Sequence, residues 1–230
     1  MALSQSKFRT TEQLNTAFSR KITKLLRDGI EENGRASLVV SGGKTPADLF
    51  NLLSKSNLEW DKVDISLADE RWVDNTDDAS NEKMLRDKLL INNAVNANFV
   101  ALKTEHGDAE DAVLTCTDNL QKIRTPFDVL ILGMGEDGHT ASLFPCSEQI
   151  TQGLDLESGN SYIAVQPTTA PNQRISLTLP ALLNSNQIFL HVTGESKKDV
   201  LNTVLSDNDA LVMPIRAVIN NADVKLLWAP

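Results

Sequence analysis

Short aliphatic and β-branched runs alternate along this chain with stretches of helical periodicity, and that alternation limits the fold more than any other feature. The runs are ASLVV at 36–40, VDISLAD at 63–69, FDVLILGMG at 127–135, QIFLHVTG at 187–194 and DVKLLWA at 223–229. Between or before them, residues 11–32 place Leu14, Ala17, Phe18, Ile22, Leu25 and Leu26 on one helical face, with Thr10 and Gln13 as a capping box and Gly34 as the stop. Further helical stretches fall near 80–91, 107–123 and 195–206, and SYIAVQ at 161–166 reads as a short strand decorating the sheet. Strand and helix in turn predict an α/β fold with a mostly parallel sheet, because parallel neighbours need helical crossovers.

In such sheets ligands bind beyond the carboxyl ends of the strands, so the loops that follow each run are the informative ones. They are polar. The first reads Ser41-Gly42-Gly43-Lys44-Thr45-Pro46, the second Asp69-Glu70-Arg71-Trp72, the third Gly133-Met134-Gly135-Glu136-Asp137-Gly138-His139, and the fourth Gly194-Glu195-Ser196-Lys197-Lys198. The expectation is that the loops after Val40, Ala68, Leu132 and Thr193 meet at one edge of the sheet.

The first loop contains GKT but lacks the earlier glycine of a nucleotide loop, since Leu38 stands there. Two readings remain: a plain strand-to-helix turn, or an anion site built on backbone N–H groups at a helix start, with Thr45 as N-cap and Pro46 as the first helical residue. The third loop satisfies G-x-G-x-x-G, yet Pro145 cuts any following helix short and no acidic residue closes the next strand, which argues against a dinucleotide. Of the three histidines only His139 sits in such a loop, where an imidazole can take a proton near neutral pH. His106 reads as solvated and His191 as core. Lys197 and Lys198 fall in the first turn of a helix, where the dipole disfavours cations unless an anion is present. Arg71 and Arg174 add further cations, each on its own consistent with an ordinary solvated side chain.

With 230 residues, 41% of them hydrophobic, the chain can bury a large core, and it reads as one domain over residues 1–230. A net charge of −9 argues against nucleic acid and anionic membranes as partners, so any phosphate must be held by local cations. The opening residues lack an apolar segment of signal-peptide length, which places the expectation in the cytoplasm. The two cysteines, Cys116 and Cys146, have no metal spacing, and neither a metal site nor a covalent-nucleophile elbow is expected. Residue chemistry thus reaches an enzyme that holds a small phosphorylated metabolite and uses His139 with water, and it does not choose the reaction.

SGGKTP, DERWV followed by Ser80-Asn81, GMGEDGHTASLFP at 133–145, Arg174-Ile175-Ser176-Leu177-Thr178 and GESK resemble, in order and spacing, the 6-phosphogluconolactonases, and the resemblance spans essentially the whole chain. It implies a three-layer α/β/α domain with a Rossmann-like sheet, related to glucosamine-6-phosphate deaminases and ribose-5-phosphate isomerases. It also implies hydrolysis of 6-phosphoglucono-δ-lactone to 6-phosphogluconate, with no cofactor. On this resemblance His139 is the general base, Arg71 serves the phosphate or developing charge, and Asp69 orients Arg71 or substrate hydroxyls. Gly42, Gly43, Lys44, Thr45, Gly135, Arg174 and Lys197 correspond to substrate contacts. The alternatives are a deaminase or sugar-phosphate isomerase and a non-catalytic sugar-phosphate sensor. Deaminases read DEY and GHIAFNEP where this chain has Asp69-Glu70-Arg71 and Gly138 to Pro145, and His139 weighs against the sensor. The chain departs from the pattern at Asp74 and Cys146, and Lys44 stands at a position that varies.

Overall fold

A computed structural model describes residues 3–230. The chain runs β1 (Leu3–Lys7), α1 (Thr11–Asn33), β2 (Ala36–Val40), α2 (Ala47–Leu53), β3 (Val63–Leu67), β4 (Asp69–Arg71), α3 (Asn81–Lys88), β5 (Asn98–Val100), α4 (Ala109–Leu120) and β6 (Val129–Leu132). It continues through α5 (Ile150–Gly153), β7 (Tyr162–Val165), β8 (Arg174–Leu177), α6 (Leu179–Leu183), β9 (Ile188–Thr193), α7 (Glu195–Leu205), α8 (Ile215–Asn221) and β10 (Val224–Ala229).

The main sheet has seven strands in the order β1-β10-β9-β6-β2-β3-β5, every pair parallel. Successive strands step outward in one direction from β2 and in the other from β6. The β2/β6 boundary is therefore the switch point at which such sheets open a crevice at their carboxyl ends. Strands β2, β3 and β6 are buried along their whole length, as parallel strands covered on both faces must be. Helix α1 buries Leu14, Phe18, Ile22 and Leu26 against this sheet, and the Phe18 ring meets Phe189 of β9 at 5.0 Å. Its ends follow local rules: Thr10 accepts the Gln13 N–H at 3.2 Å, and Gly34, at φ +78°, returns its N–H to Ile30.

The fold departs from the sequence reading at three places, the first a strand that reading did not contain. The polar run Leu3–Lys7 pairs with β10 as an edge strand, although its exposed side chains carry no period. The run ending at Asp69 breaks at Ala68, and β4 turns away to pair antiparallel with β8, which pairs with β7, so SYIAVQ belongs to a separate three-stranded sheet. Helix α2 starts at Ala47 rather than Pro46, and no side chain caps it: Pro46 occupies the cap position and Thr45 sits in the preceding turn. Lys44 to Ala47 close that turn through a 3.4 Å backbone bond, leaving the first N–H groups of α2 without a side-chain partner.

Candidate active site

A cavity of about 250 Å³ opens at the carboxyl ends of β2, β6 and β9, on the switch point. Its walls bring together Gly42, Gly43, Lys44, Thr45, Asp69, Arg71, Gly135, His139, Arg174 and Lys197, the residues that the family resemblance assigns to catalysis and substrate contact. Lys198 is not among the lining residues; its ammonium faces Glu195 and the Trp228 ring.

The cations are placed by the small sheet. Arg71 and Arg174 are direct cross-strand partners in the antiparallel β4/β8 pair, so their side chains leave the same face. Arg174 is only 6% exposed and donates from Nη2 to the Pro171 carbonyl at 3.1 Å and from Nε to the Asn172 carbonyl at 3.4 Å, two of the five N–H donors of a guanidinium. Its guanidinium is held below its ordinary value by burial and then by Arg71. Arg71 is half-buried, donates to the Ala79 carbonyl at 2.5 Å, and keeps a buried Nε with no hydrogen-bond partner among the described residues. Like charges opposed across a strand pair are destabilising unless something negative lies between or beside them. Lys197, from the first turn of α7, reaches Glu136 of the β6 loop at 2.9 Å, and Lys44, exposed, lines the cavity from the loop after β2.

The base candidate is held from several sides. Asp137 accepts the His139 backbone N–H at 3.1 Å and lies 2.5 Å from Nδ1. Burial pushes the Asp137 carboxyl up, but the bonds from His139 outweigh it and leave the group below its ordinary value. An ionised carboxylate only accepts, so Nδ1 carries a proton, and in the neutral ring Nε2 is then the nitrogen with the lone pair. Gly135 backs the ring so closely that a Cβ there would overlap Nδ1 and Cε1. Phe144 stacks on the imidazole at 4.0 Å between centroids and 26° between planes.

Acidic residues of DERWV serve the frame. Asp69, 5% exposed, accepts the Ser142 hydroxyl at 2.6 Å, tying β4 to the His139 loop. Glu70 is fully buried and accepts the N–H groups of Arg71, Asn81 and Glu82 at 2.6 to 2.7 Å, with the Ser80 hydroxyl at 3.1 Å. Burial raises its carboxyl above the ordinary value, against the pull of those backbone bonds. Asn81, fixed this way, abuts Gly42 so tightly that any side chain there would overlap its amide. Glu70, Ser142 and Phe144 carry no role in the sequence reading, although Glu70 falls within DERWV and the other two within the motif at 133–145; only the fold reveals their partners.

His191 is core, as expected, but it also lines the cavity, and neither ring nitrogen has a hydrogen-bond partner among the described residues. Cys116 is buried, its thiol donating to the Leu102 carbonyl and pushed up to about 11 by burial. Among the described residues no helix is long and apolar enough to cross a membrane, and no group of three or more His, Cys, Asp or Glu is placed to hold a metal ion.

Residues 9–228 match the family model described as glucosamine-6-phosphate isomerases/6-phosphogluconolactonase. The 6-phosphogluconolactonase of Rhizobium meliloti is 36% identical over 225 residues, covering 97% of both chains. A solved 6-phosphogluconolactonase from Shewanella baltica superposes with a TM-score of 0.97 at 43% identity, covering 100% of this chain and 98% of that one. A monomeric glucosamine-6-phosphate deaminase shares the fold at a TM-score of 0.79, with 18% identity over 99% of this chain and 97% of its own.

Proposed function

Because the chain belongs to the glucosamine-6-phosphate isomerase/6-phosphogluconolactonase family, we propose that it hydrolyses 6-phosphoglucono-δ-lactone to 6-phosphogluconate, a step of the pentose phosphate pathway, with His139 as general base. One observation supports the assignment of ends above all others: two arginines opposed across β4/β8 share a cavity with an imidazole whose far nitrogen is held by a carboxylate. The phosphate belongs with Arg71 and Arg174, joined by Lys197, Lys44 and the N–H groups of the Gly42–Thr45 loop. The lactone carbonyl then lies toward His139.

Nε2 takes a proton from water as its oxygen bonds to the carbonyl carbon, and Asp137 stabilises the imidazolium that forms. The tetrahedral intermediate breaks the bond between that carbon and the ring oxygen. The imidazolium returns its proton to the departing oxygen, leaving a hydroxyl and a carboxyl that ionises. Asp69, anchored by Ser142, faces the same cavity and orients sugar hydroxyls or Arg71. On this reading residues 1–230 act as one cytoplasmic domain on a small phosphorylated lactone, without a cofactor, and the net charge of −9 supports neither nucleic acid nor an anionic membrane as a partner.

The test is His139→Asn. With the spontaneous opening of the lactone subtracted, kcat should fall on the order of a hundredfold or more while KM stays near the wild-type value. Undiminished turnover would remove His139 from the chemistry. Release of ammonia from glucosamine 6-phosphate, assayed in parallel, would favour the deaminase reading instead.

A further inference from the structure

Phe144 lies in the same motif as His139, yet the hydrolysis just described gives it nothing to do. It is 4% exposed, and its ring meets two groups of the site. The imidazole of His139 stacks on it at 4.0 Å and 26°, and the guanidinium carbon of Arg174 lies over it at 5.6 Å. The backbone around it is fixed: Thr140 and Leu143 form an isolated bridge, Ala141 adopts φ +47°, and the Phe144 carbonyl accepts both the N–H and the hydroxyl of Ser147 at 3.2 and 2.9 Å.

The contacts to His139 divide the work of holding a ring. A hydrogen bond from Nδ1 to Asp137 fixes one point of the imidazole but leaves rotation about the axis through that point. Gly135 limits the swing on one side. A flat partner stacked on the ring fixes its plane, and with it the direction in which the Nε2 lone pair points. Because the same phenyl ring supports Arg174, it also relates that direction to a cation of the phosphate site.

We propose that Phe144 is a positioning residue that sets the plane of His139 relative to Arg174, so that a substrate anchored by its phosphate presents its carbonyl to water activated at Nε2. The inference rests on His139 being the base. An aliphatic side chain of similar bulk fills the space without defining a plane, and misplacement by a fraction of an ångström is enough to slow a positioned proton transfer.

Phe144→Leu should lower kcat about tenfold with KM changed much less, and Phe144→Tyr, which keeps the ring, should restore most of it. In the His139→Asn background, Phe144→Leu should cost nothing further, because the ring it orients is gone. Independently of turnover, the carbon-bound protons of His139 should resonate upfield of ordinary histidine positions in wild-type protein and in Phe144→Tyr, and return toward them in Phe144→Leu. A folded Phe144→Leu protein with wild-type kcat, a loss that multiplies with His139→Asn, or unshifted His139 protons in the wild type would each overturn the proposal. The last measurement needs no variant to fold. Full turnover in His139→Asn with shifted ring protons would instead overturn the base and leave the stack in place.

Discussion

A buried imidazole without a hydrogen bond is a cost that depends on pH, and His191, which has no such partner among the described residues, carries one. Burial lowers its pKa to about 4, from an ordinary 6.5. The unfolded chain therefore binds a proton between these values that the native state refuses, so stability is complete above pH 6.5 and is lost as the pH falls toward 4. The gap corresponds to on the order of 3 kcal/mol. His191→Leu, which fits an apolar strand beside Phe18, should remove this loss. Urea denaturation of both proteins at pH 7.5 and pH 4.5 would measure it, and an equal acid loss in the two would mean that His191 does not titrate in that window. The sequence identifies His191 as core and places His139 in a glycine-rich loop at a strand's carboxyl end, because strand burial and loop polarity are local patterns. The partners of His139 were not legible in the same way. That Asp137 bonds Nδ1 and Phe144 covers the ring depends on side-chain conformations set by Gly135 behind and by the turn at 140–143.

At the level of elements, Glu70 does what a side-chain cap does elsewhere, but from another strand. Helix α3 begins with Ser80 accepting the Lys83 N–H, while the Asn81 and Glu82 N–H groups point into the Glu70 carboxylate, which the positive end of the helix also favours. Replacing it by glutamine leaves one acceptor oxygen and turns an amide NH₂ toward backbone donors. Glu70→Gln should cost about 2–3 kcal/mol, seen as a melting temperature lower by roughly 5–10 °C for a domain of this size. Because the same carboxylate fixes the Arg71 backbone and Asn81 against Gly42, KM should rise as well. An unchanged melting temperature would show that α3 does not depend on this contact. The caps of α1 could be read from Thr10, Gln13 and Gly34 because all lie within a few residues of the helix ends. The Glu70 cap could not, since it requires β4 to leave the main sheet at Ala68. Strand β1 escaped for a different reason: Leu3–Lys7 is held by backbone bonds at an edge, and its exposed polar side chains leave no periodic trace.

For the molecule as a whole, the question is how a chain of net charge −9 holds a dianion. Its cations are concentrated by topology rather than by number: β4 and β8 bring Arg71 and Arg174 face to face, α7 carries Lys197 to the same cavity, and the loop after β2 adds Lys44. Arginines opposed in this way repel one another in the ligand-free protein, so an anion that neutralises them should stabilise the whole fold, separately from any chemistry. At 6-phosphogluconate concentrations about a hundred times Kd, the linkage corresponds to roughly 2.7 kcal/mol, or a melting temperature raised by about 5–10 °C. Clamp and base should separate in this measurement. On the proposed assignment, with His139 as base at the lactone end and away from the phosphate, His139→Asn should keep the full ligand-induced shift while losing turnover. Arg174→Ala and Lys197→Ala should melt with a much smaller shift at the same ligand concentration, and both should raise KM more than they lower kcat. Inorganic phosphate should reproduce part of the shift in wild type and less of it in Arg174→Ala, because it engages only the clamp. A full shift in Arg174→Ala and Lys197→Ala together would place the phosphate elsewhere and leave the arginine pair as part of the frame.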